Sequence, residues 1–171
     1  MASDDEKKVR LRSKDGQVFE VREKAIGAFS VTITGMIGEG CADDDGVVEL
    51  PNVSAATLSR VLEYVERHFD FDDSHSSFVP SDDDPLARFD EELVGVGNDA
   101  LFDLLEAASF LNIAKLMDLT CKAVAEQMRG RMPNEIRAKF HIVNDYTKEE
   151  EEDVRRENSW AFDETMPLSM D

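Results

Sequence analysis

Only two cysteines occur in 171 residues, Cys41 and Cys121. Two thiols do not make a disulfide framework, so a reducing compartment, cytoplasm or nucleus, is expected. Long apolar runs are also missing: no stretch approaches the roughly 20 residues that span a bilayer. The opening, Met1 to Lys8, is polar and charged, so no secretory signal is expected. Basic charge is scarce. Nineteen Lys and Arg face 38 Asp and Glu, a net charge of −19. A field of that sign repels phosphate, which argues against nucleic acid or an anionic membrane as partner. It suits a partner with a basic surface, and it equally serves plain solubility.

Catalytic constellations are missing too. The three histidines, His68, His75 and His141, stand at no metal-ligand spacing with each other or with a cysteine. His68 is expected at a helix end, where a cation suits the dipole. No phosphate-binding loop, dinucleotide fingerprint or nucleophile elbow occurs. Cys121 has only Lys122 as an electropositive neighbour, too little to mark a reactive thiol. The runs Asp43-Asp44-Asp45 and Asp82-Asp83-Asp84 lack the alternation of a calcium loop and read as solvated loops. Asn52-Val53-Ser54 matches a glycosylation sequon, which has no use without export. No enzyme, metal, cofactor or small-molecule substrate is therefore expected.

What is present is a mixed α/β pattern followed by helices alone. Val9-Arg10-Leu11-Arg12 and Phe19-Glu20-Val21 alternate apolar and charged residues around Asp15-Gly16. That is a hairpin signal with an expected type I′ turn, burying Val9, Leu11, Phe19 and Val21. Short helices are expected near 23–28 and 31–37, with Gly35 weakening the second. Val47 to Leu50 reads as a third strand. Ser54 is a plausible N-cap for a helix carrying Leu58, Val61, Leu62, Val65 and Phe69 at helical spacing. Residues 70–85 are acidic and polar and are expected to form a flexible insertion. Order resumes near Leu86 to Val94. Helices follow near 99–111, with Leu101, Leu104, Leu105 and Ala108 on one face, and near 113–128, stopped by Gly130. Pro133 opens another, to about Phe140. Thr147 and Glu150 form a capping box that opens the last.

The helix near 113–128 carries two apolar stripes, Leu116, Leu119 and Ala123, and Met117, Cys121, Val124 and Met128. One stripe docks a surface helix, and two call for cover on two sides. Either the short charged helices that follow supply the second cover or a partner does.

Several segments resemble the S-phase kinase-associated protein 1 family in order and spacing. They are Ser13-Lys14-Asp15-Gly16, Val31-Thr32-Ile33, Leu50-Pro51-Asn52-Val53, Leu101-Phe102-Asp103-Leu104-Leu105, Leu116-Met117-Asp118-Leu119-Thr120-Cys121, Pro133-Asn134-Glu135-Ile136-Arg137, Asn144-Asp145-Tyr146-Thr147 and Arg155 to Phe162. The resemblance covers roughly 9–162 apart from the acidic insertion. It implies a BTB/POZ α/β fold over 7–128, an F-box-binding helical extension over 129–162, a disordered lead at 1–6 and a tail at 163–171. It implies a non-enzymatic adaptor of SCF (cullin–RING) ubiquitin ligases that joins F-box proteins to the cullin N-terminal region, serving ubiquitin-dependent degradation in cytoplasm and nucleus. Carried over by position, the F-box surface comprises Leu101, Leu105, Met117, Cys121, Val124, Met128, Phe140, Ile142 and Trp160. The cullin contact comprises Ser109 and Phe110, where the family commonly has Asn-Tyr. Further departures are Met132 for threonine, Phe89 for tryptophan, and the tail, together the mark of a diverged, plant-type paralogue. An F-box-protein stabiliser acting without a cullin is the alternative. A homo-oligomeric POZ scaffold is disfavoured by the charge.

Overall fold

The structure, a computed structural model, describes residues 7–40, 42, 46–74 and 85–161. Its order is β1 (Lys8–Ser13), β2 (Val18–Arg22), α1 (Glu23–Phe29), α2 (Val31–Gly38), β3 (Val47–Leu50), α3 (Ala55–Ser74), α4 (Pro85–Val94), α5 (Asn98–Phe110), α6 (Ala114–Met128), α7 (Pro133–Phe140), α8 (Lys148–Glu157) and a 3₁₀ turn, Ser159–Ala161. The chain forms two compact units, Met1–Val124 and Ala125–Asp171. No helix among the described residues is long and apolar enough to cross a membrane.

The first unit is built on a three-stranded sheet in the order β2-β1-β3. β1 pairs antiparallel with β2, setting Val9 opposite Val21 and Leu11 opposite Phe19. β3 adds in parallel, with Leu11 beside Val48. Period-two alternation puts Val9, Leu11 and Val21 in the core with Phe19 packed at its edge. The α3 residues Leu58, Val61, Leu62 and Val65 cover that face and are buried, as are Leu104, Ala107 and Ala108 of α5. Truncating one such leucine to alanine typically costs about 2–5 kcal/mol.

The hairpin forms, but its turn differs from the type I′ geometry expected. Only Gly16 has positive φ, at 80°. The Gly16 N–H donates to the Ser13 carbonyl at 2.9 Å. The Ser13 hydroxyl accepts from the Gln17 N–H at 3.2 Å. With Ser13 closing the loop from its side chain, Asp15 needs no left-handed backbone. Its carboxylate instead accepts from the Ala55 N–H at 2.7 Å. Beside it, the Ser54 hydroxyl accepts from the Thr57 N–H at 3.2 Å, the N-cap expected for α3.

Two further expectations need correction. Helix α3 does not stop at Phe69 but continues to Ser74, and α4 starts at Pro85. The first part of the supposed insertion is thus helical, and residues 75–84 lie outside the described residues, as do Asp43 to Asp45. The extra turn has tertiary support that composition does not reveal. Arg22 donates to Asp70 at 2.6 Å and to Glu66 at 2.5 Å, and its guanidinium lies 5.2 Å from the Phe69 ring centre. His68 is consequently in mid-helix rather than at a helix end. Its Nε2 lies 2.9 Å from an Asp90 carboxylate oxygen, and its ring packs 4.0 Å from that of Tyr64. Burial, with Asp90 and Asp72 as lesser causes, pushes the Tyr64 phenol well above its usual pKa.

Candidate partner-binding surfaces

Helix α6 resolves which stripe faces inward. Leu116 and Thr120 are buried, with Ile113 just before them, and Leu119 packs at the edge of the core. Thr120 can sit there because its hydroxyl donates within the helix, to the carbonyls of Leu116 (3.0 Å) and Met117 (2.9 Å). A buried hydroxyl thereby keeps its partner. The other stripe stays open: Met117 is 37% exposed, Cys121 and Met128 are exposed, and Val124 is half-buried. Positions 117, 121, 124 and 128 share one helix face, so α6 presents an apolar strip to solvent.

On α5, Leu105 is half-buried, whereas Leu101 is fully buried. Leu101 therefore offers no surface for direct contact, contrary to the expectation. Positional correspondence picks out the residue but not which way its helix face is turned.

The second unit exposes further apolar groups. Ile142 is 53% and Trp160 71% exposed, and Phe140 is half-buried. His141 closes α7 in the left-handed conformation, φ 55°, and the Ile142 N–H donates back to the Arg137 carbonyl at 2.9 Å. The chain thereby leaves the helix, and Ile142 and Val143 reach solvent. Val143, 84% exposed, and Tyr146, 47% exposed, were missed as surface residues. The signal was available, since Ile142-Val143 is an apolar pair between two charged helices. Met132 supplies no side-chain cap for α7, but the Glu135 carboxylate accepts from its N–H at 2.8 Å. Half of a capping box therefore remains.

Helix α8 carries the full box. The Thr147 hydroxyl accepts from the Glu150 N–H at 3.2 Å, and Glu150 accepts from the Thr147 N–H at 2.8 Å. The Thr147 N–H, and after it the Thr147 hydroxyl donating to the same carboxylate oxygen at 3.0 Å, hold the Glu150 carboxyl below its usual pKa. A depressed folded pKa adds stability above the unfolded value, about 4.3, which is lost as pH falls through the folded value. The α8 signal in backbone amide NMR is expected to be constant from neutral pH to about 5 and to weaken in more acid solution. Thr147→Ala should weaken it already at neutral pH. An α8 signal insensitive to both would remove the box from the account.

The expected cullin pair lies at the end of α5 in the first unit. Ser109 is exposed and Phe110 is half-buried against the core. Asn112 takes a left-handed φ of 51°. Its N–H donates to the Ser109 carbonyl at 3.1 Å, and the Ile113 N–H to Ala108 at 2.9 Å. That is a Schellman closure with asparagine in the place usually held by glycine. From the N-cap of α2, the Ser30 hydroxyl donates to the Leu111 carbonyl at 2.6 Å, and from its first turn the Thr32 hydroxyl donates to the Phe110 carbonyl at 3.0 Å. Between them Val31 stands 67% exposed, a surface residue not anticipated. The pair is thus held on a rigid corner shared by α2 and α5.

Among the described residues no group of three His, Cys, Asp or Glu side chains is placed to hold a metal. A POZ-type sheet with its helices, followed by a short helical unit bearing exposed apolar side chains, defines a partner-binding protein. Two family models match this chain: the Skp1 family tetramerisation domain over residues 7–70 and the Skp1 family dimerisation domain over residues 114–161. SKP1-like protein 4 of Arabidopsis thaliana is 46% identical, the match covering 92% of this chain and 97% of that protein. SKP1-like protein 20 of Oryza sativa subsp. japonica is likewise 46% identical, over 95% and 100%. SKP1-like protein 1A of Arabidopsis thaliana is 44% identical, over 92% and 98%. The chain belongs to the Skp1 family and is of plant type. Membership carries, in general terms, an adaptor role in SCF ubiquitin ligases.

Proposed function

We propose that this protein bridges F-box substrate receptors to the N-terminal region of a cullin and performs no chemistry itself. The bridge raises the effective concentration of a bound substrate near the ligase's catalytic module, leading to ubiquitin-dependent degradation in cytoplasm and nucleus. The observation that carries the F-box half is the open strip Met117, Cys121, Val124 and Met128 on a helix whose opposite side is buried. Leu105 in the first unit, and Phe140, Ile142 and Trp160 in the second, are proposed as further F-box contacts, each within its own unit. Exposed apolar strips of this kind mark sites covered by a partner. The cullin half rests on Ser109 and Phe110 at the rigid end of α5.

A second reading, stabilisation of F-box proteins without a cullin, is favoured by one feature. Ser109-Phe110 lacks the amide and phenol of the pair common in the family. Each can anchor an interfacial hydrogen bond worth about 1 kcal/mol, or roughly fivefold in affinity. Titration of a cullin N-terminal domain should therefore show Ser109→Asn, Phe110→Tyr binding more tightly than the wild type, by up to about thirtyfold. An unchanged affinity would mean that these positions do not limit the contact. Absence of cullin binding by both proteins, with F-box binding intact, would establish the second reading.

A further inference from the structure

Sulfur is concentrated on the strip proposed above for the F-box. The chain has seven methionines. Four stand among the described residues: Met36, Met117, Met128 and Met132. Met36 packs against the core, and Met132 is half-buried at the head of α7. Met117 and Met128 are the exposed pair. With Cys121 they put three sulfur atoms on a strip of four side chains, Val124 being the fourth. All four lie on one unbroken helix. Helical geometry holds them within an arc of about 60° and sets the two methionines about 16 Å apart along the axis, one at each end of the strip.

Leucine would serve a helix and an apolar contact as well as methionine does. The thioether adds flexibility, which lets one strip repack against different receptors. It also adds a reaction. The sulfur lone pair attacks one oxygen of hydrogen peroxide, and the S–O bond forms as the O–O bond breaks. The proton on the transferred oxygen passes to the departing hydroxide, which leaves as water. Sulfur gives up two electrons and peroxide takes them. No ionisation comes first, whereas a cysteine must react as its thiolate. The product sulfoxide is polar. In the free protein it is hydrated, because both side chains stand in solvent. Under an F-box its oxygen is stranded, since Val124 offers no donor and the Cys121 thiol only a weak one. We propose that Met117 and Met128 form an oxidative modification site that gates receptor binding. Sulfoxide at either end of the strip blocks the F-box, and a docked F-box shields both sulfurs from peroxide. This rests on the F-box reading above and adds a control to it. The gate acts on adaptor that holds no receptor. It is reversible, because methionine sulfoxide reductases A and B each reduce one sulfoxide epimer.

The unaltered full chain tests this. It is treated with hydrogen peroxide and then with dithiothreitol, which returns a sulfenic acid or disulfide at Cys121 to the thiol and leaves sulfoxide in place. Oxidised species are separated, mapped by peptide mass spectrometry and titrated with an F-box segment. Sulfoxide at Met117 or Met128 is expected to lower affinity about tenfold or more, with the melting temperature unchanged. The two reductases together should restore it, and an F-box segment bound beforehand should slow oxidation at both positions. Full affinity in a species oxidised at both positions overturns the gate and leaves F-box binding itself standing. So does a loss that follows sulfoxide at Met36, Met132 or another methionine off the strip, a loss that the reductases do not restore, or one that comes with a lower melting temperature. Absence of F-box binding by the untreated chain overturns the F-box reading, and the gate with it.

Discussion

Cys121→Glu is expected to abolish F-box binding while leaving the fold intact. The side chain is already exposed, so the free protein has no packing to lose and a glutamate there stays hydrated. In the proposed complex the same carboxylate is covered by apolar groups, on a strip that offers no cation at positions 117, 124 or 128. Stranding an unpaired charge in a buried contact costs about 3–5 kcal/mol, equivalent to a loss of roughly a hundredfold to several thousandfold in affinity. Calorimetric titration with an F-box segment, beside a thermal melt, separates the two effects. Retained affinity at an unchanged melting temperature would place the F-box elsewhere. A conservative Cys121→Ala should bind within a few fold of the wild type, because it removes little apolar area and introduces no charge.

Ser30→Ala should produce the largest loss of stability among exchanges that remove a single atom. Ser30 is fully buried, and its hydroxyl does two things at once. It accepts from the Ile33 N–H at 3.1 Å, capping α2, and donates to the Leu111 carbonyl at 2.6 Å. Loss of an N-cap costs about 0.5–2 kcal/mol, and a stranded buried carbonyl adds about 1–3 kcal/mol. A total near 2–4 kcal/mol corresponds to a fall in melting temperature of roughly 5–15 °C for a domain of this size. The corner bearing Ser109 and Phe110 should loosen as well, so cullin affinity is expected to fall with stability. A melting temperature within about 2 °C of the wild type would show that the carbonyl finds another partner.

These two sites differ in how plainly they stand in the sequence. The α6 strip follows from periodicity: Met117, Cys121, Val124 and Met128 recur at helical spacing, and a second stripe on a surface helix signals a missing cover. Ser30 gives no comparable signal, since its importance depends on a carbonyl far along the chain. The same division runs through the fold. The strands around Asp15-Gly16, the Ser54 cap and the Thr147–Glu150 box are set by residues within a few positions of each other, and each was legible. The last turns of α3 were not, because Arg22 reaches across from β2 to hold Asp70 and Glu66. Leu101 shares a buried face with Leu104 and Ala108, as its periodicity indicates, and only its positional assignment to the F-box surface conflicts with that burial. The left-handed residues Asn112 and His141 carry no glycine to announce them, so the turns that aim Phe110 and Ile142 could be found only in three dimensions.

The strand order has a bearing on assembly of the chain itself. β1 is the middle strand, and only one of its two neighbours is local in sequence. Its pairing with β2 needs only the short loop closed by Ser13 and Gly16. Its pairing with β3 must wait until β2, α1 and α2 have been placed, because all three lie between the parallel partners. Contacts between distant segments pay their loop-closure entropy before they return any stability, and they set the pace of folding. During synthesis the hairpin can therefore form early with one edge of β1 unpaired. That edge, Arg10 to Ser13, is open to association with other chains until Val47 to Leu50 emerges to occupy it.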